Sequence, residues 1–305
     1  MMDIFPGVIA EWPTSYFVFE GILWLLFLGL PVLYIWKFKK LKWYLPLFAF
    51  VWWVVWYGSY VEPRKLVVNE FHIEVLDLPH LRIAVVVDIH VGPYKKSDWT
   101  QKIVEKLNEL KDIDVLVIPG DFVFGGAKTY APELAPLKDI KIAKKFATLG
   151  NHDHDIVEPR NTVQSKIVSD ALRSLGIIEL KNSRYFWEEK NMWIAGVDDN
   201  DLGYHDLAKA VGDIEQPFIL VAHSPDIVDE VKNKPDLVIS GHTHCGQIRL
   251  PWLGALPFTI PSKNGKKLER WWYQDKSVFV TCGVGEVGPR ARLLNPPEID
   301  VLEVN

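Results

Sequence analysis

Asp88, His90, Asp121, Asn151, His152, His223, His242 and His244 are the residues of this chain best suited to chemistry, and they share a local setting. They fall in loops that follow five short apolar runs, at 81–87, 114–118, 143–149, 218–221 and 237–239. Five of the nine histidines lie in these loops, while His72, His80, His154 and His205 lie elsewhere. Taken singly, each motif reads as ordinary turn chemistry, since loop Gly, Asn and Asp readily bond their own backbone. Their recurrence after successive runs is what points to a site, because open α/β sheets place ligands in the loops that follow strands.

Two carboxylates, four imidazoles and one amide oxygen make a mixed ligand set, drawn from Asp88, His90, Asp121, Asn151, His223, His242 and His244. Such a set suits Mn, Fe, Zn or Co and differs from the thiolate cage of a structural zinc site. It is too large for one tetrahedral ion and sufficient for two divalent ions if one carboxylate bridges them; Asp121 is the natural bridge.

The elements that must position these residues alternate. The apolar runs, with others at 192–197 and 277–280, read as strands, and 97–110 and 163–175 read as helices. A strand at 68–75 and a last one at 299–304 complete the pattern, and the spacing over 176–198 suggests hairpins. The expectation is an α/β fold with a layered mixed β-sheet, forming one domain over 62–305.

Residues 1–61 differ in kind and read as an N-terminal membrane anchor. Seven of the 13 Trp lie in the first 56 residues, and 43–61 runs for 19 residues without a charge. That length is near what a membrane crossing needs, so two transmembrane helices are expected at 17–36 and 43–61. A cleaved signal peptide fits poorly, because Asp3 and Glu11 precede the first apolar stretch and no Lys or Arg does. Four lysines within 37–42 favour a cytoplasmic turn, leaving the catalytic domain extracytoplasmic, although Arg64 and Lys65 pull the other way. A formal charge of −5 offers no footprint for nucleic acid.

The ordered motifs Asp88-Ile89-His90, Gly120-Asp121, Gly150-Asn151-His152-Asp153, Ala222-His223 and Gly241-His242-Thr243-His244 resemble those of the calcineurin-like metallophosphoesterase family. The flanking Gly246-Gln247-Ile248-Arg249-Leu250-Pro251 and Pro296-Pro297-Glu298-Ile299 are similar to its bacterial membrane-associated branch, which includes lipid A precursor pyrophosphatases. The resemblance implies one ion on Asp88, His90, Asp121 and His244, and another on Asp121, Asn151, His223 and His242. It leaves His152 free to contact phosphoryl oxygens or protonate the leaving group, with Asp153 orienting it. The implied reaction is attack of a metal-bridging hydroxide on a phosphoester or pyrophosphate, with no protein nucleophile. A lipid-linked or nucleotide-sugar substrate, such as a UDP-diacylglucosamine-type lipid A precursor, fits a chain whose other partner is the bilayer.

Arg290 and Arg292 follow a glycine-rich stretch and are candidates to grip a substrate phosphate. Asp198, Asp199 and Asp201 could reach the substrate but read more economically as an acidic turn around Asn200. Cys245, which invites a reading as an extra ligand or redox switch, reads better as a small buried thiol that could pair with Cys282 only if the fold brings them together. The aromatic stretch 251–273 suggests either a lipid-touching flap or core packing. Two other readings compete with hydrolysis. One is a catalytically silent metal-binding scaffold or sensor, which the full ligand set plus His152 disfavours. The other is a transport protein, which two spans with Glu20 as their only internal ionisable residue disfavour.

Overall fold

The computed structural model describes residues 14–29, 31, 45–155, 161–231, 235–255, 262, 278–288 and 290–305. Side-chain burial sorts the strands. β1 (Val67–Ile73) alternates half-buried and exposed residues and so keeps one wet face. β3 (Val115–Pro119) is buried throughout, as a strand covered on both faces must be.

The first sheet has the order β1, β13 (Glu298–Val304), β2 (Leu81–Val85), β3, β4 (Lys144–Thr148), β5 (Ile178–Glu179). β13 is antiparallel to β2, and every other neighbour pair is parallel. The second sheet runs β12 (Val278–Val280), β9 (Leu237–Ser240), β8 (Phe218–Val221), β7 (Met192–Gly196), β6 (Ser183–Trp187). It is parallel except for the β6–β7 hairpin. A short ribbon, β10 (Arg249–Leu250) with β11 (Gly254–Ala255), stands apart.

Ile83, Val85, Val117 and Phe146 of the first sheet share one core with Ile194, Val221, Ile239 and Phe279 of the second, so the sheets stack face to face. The other face of the first sheet packs Ala84, Leu116 and Ile118 against Trp99, Ile103 and Leu107 of α3 (Ser97–Glu109) and Val168 and Leu172 of α5 (Val163–Ser174). Ala195, Leu220 and Val238 cover the second sheet with Ala210 of α6 (Leu207–Ala210). The layers are therefore α/β/β/α with two mixed sheets, in keeping with the layered α/β expectation. Periodicity gave no sign of α4 (Ala127–Tyr130) and the 3₁₀ segment Ala131–Asp139 that continues it, where Pro132 and Pro136 withhold backbone donors from an α-helix.

Ahead of this body, α1 (Thr14–Trp24) continues as a π-turn over Leu25–Gly29, and α2 (Leu45–Trp56) as another over Tyr57–Val61. The Phe27 ring lies 5.3 Å from Trp52 and 5.8 Å from Tyr60, so the two helices touch. Val18, Ile22, Leu25, Leu28, Leu47, Phe50, Val51 and Trp53 are exposed. Among the described residues no helix is both long and apolar enough to cross a membrane. The lysine turn at 37–42 and parts of both expected spans lie outside the described residues, as does most of 251–273; Trp252 and Leu253 of that stretch are exposed.

Candidate metal centre

Every candidate ligand leaves the C-terminal end of a parallel strand. Asp88 and His90 follow β2, Asp121 follows β3, Asn151 and His152 follow β4, His223 follows β8, and His242 and His244 follow β9. The loops are zipped by their backbones: Asp88 N donates to Gly120 O (3.2 Å), His90 N to Asp121 O (3.0 Å) and Gly241 N to His223 O (2.9 Å). Asp88, His90, Asp121, His242 and His244 all have left-handed backbone, with φ between 47° and 66°. That region is costly for non-glycine residues, and such strain gathers at functional sites. Gly150 and Gly283 let the loops close, since a Cβ on the former would strike the Asp121 carboxylate and one on the latter would lie 2.7 Å from Asp88 Oδ2.

Two buried clusters result, Asp88 with His90 and His244, and Asp121 with His223 and His242; within each, the ligand atoms lie inside 4.8 Å of one another. His90 Nε2 and His244 Nε2 are 3.2 Å apart, and His223 Nε2 and His242 Nδ1 are 3.0 Å apart. Asp121 Oδ2 sits 3.4 Å from His90 Nε2 and 3.2 Å from His223 Nε2, within reach of both clusters. Asn151 Oδ1 is 3.2 Å from His223 Nε2. His152 belongs to neither cluster: its N–H donates to Asp121 Oδ1 (2.9 Å), and its ring stands edge-on 5.0 Å from His90.

The residues fit divalent ions. Among the described residues Asp88 Oδ2 and His244 Nδ1 are buried without a hydrogen-bond partner, an arrangement that needs a reason. Imidazole nitrogens facing each other at hydrogen-bond distance, backed by carboxylates, make a nitrogen and oxygen donor set that a cation satisfies. Each cluster could hold one.

The clusters differ electrostatically. Burial drives the His90 imidazole down to about 3 and His244 well below its ordinary value, and it pushes Asp88 up to about 7. Burial also opposes charge on His223, yet Asp121 and Asp88 carry it well above its usual value. His242 is likewise raised against burial by its hydrogen bond to Asp201, 2.8 Å from Oδ2 to Nε2. Despite burial, the Asp121 carboxyl is held well below the usual carboxylate range by His223 and His152. His152 is lowered by burial. Asp201 thus fixes the His242 ring with Nδ1 toward His223, the carboxylate support common behind metal-binding histidines. Sequence reasoning assigned Asp201 to an acidic turn; the missed signal is that this turn leaves the C-terminal end of β7, the parallel neighbour of β8.

Four expectations change. Asp153 does not orient the His152 ring. Its two oxygens accept from Asp121 N (2.9 Å), Phe122 N (2.8 Å), Val123 N (3.2 Å) and Gly150 N (3.0 Å), which uses all four lone pairs to tie two ligand loops together. Burial and the Asp121 charge push Asp153 up to about 7, with the backbone donors pulling the other way. Arg292 cannot grip a substrate, because it is wholly buried and its guanidinium donates to the carbonyls of Cys282 (2.8 Å), Gly283 (3.1 Å), Gly285 (2.7 Å) and Asn295 (3.1 Å). Arg290 pairs with Glu20 at 3.2 Å and tethers α1 to the body. Cys245 is no isolated thiol. Because β9 and β12 are parallel neighbours, the loops beyond them bring Cys245 and Cys282 to a Cα separation of 4.8 Å, where they form a disulfide.

Two stacked sheets deliver paired histidine and carboxylate clusters that could hold metal ions at their strand ends. The calcineurin-like phosphoesterase family matches residues 81–246, and the chain belongs to that family: it is a hydrolase acting on phosphoester bonds. It is 33% identical over 263 residues to an uncharacterised metallophosphoesterase of Aquifex aeolicus, an alignment covering 81% of this chain and 94% of that one. It is also 33% identical over 262 residues to a zebrafish (Danio rerio) transmembrane protein with a metallophosphoesterase domain, covering 78% and 56%. Against the phosphodiesterase YaeI of Escherichia coli it is 28% identical over 197 residues, covering 63% and 70%.

Proposed function

We propose that this chain is a membrane-anchored phosphodiesterase whose two clusters each hold one divalent ion, Mn, Fe, Zn or Co, with Asp121 shared between them. The observation that carries this reading is the position of Asp121 Oδ2, within 3.4 Å of an imidazole nitrogen from each cluster. Asp88, His90 and His244 complete one set, and Asn151, His223 and His242 the other. When bound, the ions supply Lewis-acid activation of water and neutralise phosphoryl charge. His152, beside both sets and committed to neither, contacts the phosphoryl oxygens; the anionic substrate favours its protonated form, which hands a proton to the leaving oxygen. A silent metal-binding scaffold would have no use for that residue.

The exposed apolar faces of α1 and α2 support anchoring, as does the word transmembrane in the name of the zebrafish relative. The Cys245–Cys282 disulfide, with the lysine run of 37–42, supports an extracytoplasmic catalytic face, since disulfides persist in oxidising compartments. A UDP-diacylglucosamine-type precursor would require the cytoplasmic face, so the favoured substrate is a lipid-linked phosphodiester of the cell envelope. The test is turnover of p-nitrophenyl and bis-p-nitrophenyl phosphate by the full chain loaded with Mn. Hydrolysis of the diester that disappears on chelation is expected, and absence of turnover on both esters overturns the reading.

A further inference from the structure

A polar cavity of about 240 Å³ opens where α2 ends and the body begins. Its walls come from the close of the apolar helix (Ser59, Pro63, Arg64), from α3 and the loop before it (Lys95, Trp99, Lys102) and from the loop that carries Glu286 and Arg290. None of the candidate metal ligands lines it.

Four cations, Arg64, Lys95, Lys102 and Arg290, face two carboxylates, Asp98 and Glu286, in this lining. Positive charge stays in excess even when Glu20, the partner of Arg290, is counted as a third. Lys95 is buried, lies 3.3 Å from the centre of the Trp99 ring, pairs with Glu286 at 3.4 Å and donates to Pro63 O. Burial pulls its ammonium down to about 8, so it lacks full compensation for its charge. Lys102 donates to Arg64 O (2.6 Å) and also approaches the Trp99 ring. The buried Trp99 indole N–H has no hydrogen-bond partner among the described residues. Excess cations around an open space, in a lining that includes a residue with an unpartnered buried N–H, describe a receptor for an oxyanion.

We infer that this cavity is a second anion site, separate from the metal centre, and that it binds the phosphoryl group of an anionic lipid at the level where α2 leaves the apolar phase. The lipid assignment rests on the membrane reading of α1 and α2, whereas the anion site itself does not. A lipid phosphate held here would brace the junction of anchor and body, because Arg64 and Arg290 belong to those two parts.

Titration calorimetry on the metal-loaded full chain in dodecyl maltoside tests it, with dihexanoyl phosphatidic acid, inorganic phosphate and dihexanoylglycerol as probes. The Arg64→Gln/Lys102→Gln variant, with thermal unfolding as the control for folding, is expected to bind phosphatidic acid roughly tenfold or more weakly than wild type. Arg64→Lys/Lys102→Arg keeps the charges and is expected to stay within about threefold of wild type. If phosphate shows the same loss, the site stands and takes free phosphate; if phosphatidic acid alone shows it, the site stands and takes the lipid. Equal binding of both anions by wild type and the Gln variant, or equal loss in the charge-preserving variant, overturns the proposal. Flotation of the chain with vesicles tests the membrane reading independently.

Discussion

In the Asp88, His90 and His244 half of the centre burial governs, and both imidazoles are neutral. In the Asp121, His223 and His242 half carboxylates outweigh the same burial, and the imidazoles favour the protonated form. Depth alone does not account for this, since all six residues are buried. What differs is the company: His223 and His242 each hydrogen-bond a carboxylate, Asp121 at 3.2 Å and Asp201 at 2.8 Å, whereas the pull of Asp121 on His90 at 3.4 Å is opposed by His152 and His223, and His244 is held down by His90 and Arg292. The first half is ready to accept an ion above the Asp88 transition at about 7, while the second must release protons from histidine to do so.

Asp121 belongs to both halves, so Asp121→Asn erases the comparison. Both ions are expected to be lost and activity to fall by roughly 10³-fold or more, the equivalent of about 4 kcal/mol of transition-state stabilisation. Metal analysis beside a bis-p-nitrophenyl phosphate assay reads both effects. His152→Ala should leave the metal content of both halves intact and lower kcat by roughly 10²-fold or more, as the loss of a proton donor does; a metal-free variant would show that His152 is a ligand.

Asp201→Asn acts on one half only. It removes the carboxylate behind His242 and is expected to weaken the second ion by roughly 10- to 100-fold while leaving the first unchanged, as competition with a chelator would show. The smallest effect is that of pH. His223 and His242 have folded values above their ordinary ones, so protons leave them as pH rises and affinity of the second half climbs through the range above neutrality. His90 and His244 are already neutral there, and once the pH is clear of the Asp88 transition at about 7 the first half stays flat. Metal titrations at a series of pH values above about 8 should give up to about tenfold per pH unit for each histidine proton released by the second ion and none for the first. Equal slopes would remove the distinction between the halves.

The residues of the two clusters could be picked out because each lies in a loop that follows a strand, and strands announce themselves by short β-rich apolar runs. The layered α/β order was legible for the same reason. Asp201, Asp153 and Arg292 were not, because their roles depend on which loops meet. Asp153 looks like a partner for the adjacent His152 until the strand register places four backbone donors around it. Arg292 looks like a surface guanidinium beside glycines until the loop beyond β12 folds its carbonyls over it. Cys245 and Cys282, 37 residues apart, meet only because β9 and β12 are neighbours, which no local pattern records. The apolar character of the N-terminal segments was legible, and Phe50 and Trp53 are exposed, but among the described residues no helix has the length and apolarity of the spans expected at 17–36 and 43–61.

Anomalous diffraction from crystals of the Mn-loaded protein tests the central claim most directly. Two peaks per chain are expected, one against Asp88, His90 and His244 and one against Asn151, His223 and His242, with Asp121 touching both. A single peak, or two peaks that do not share Asp121, would contradict it.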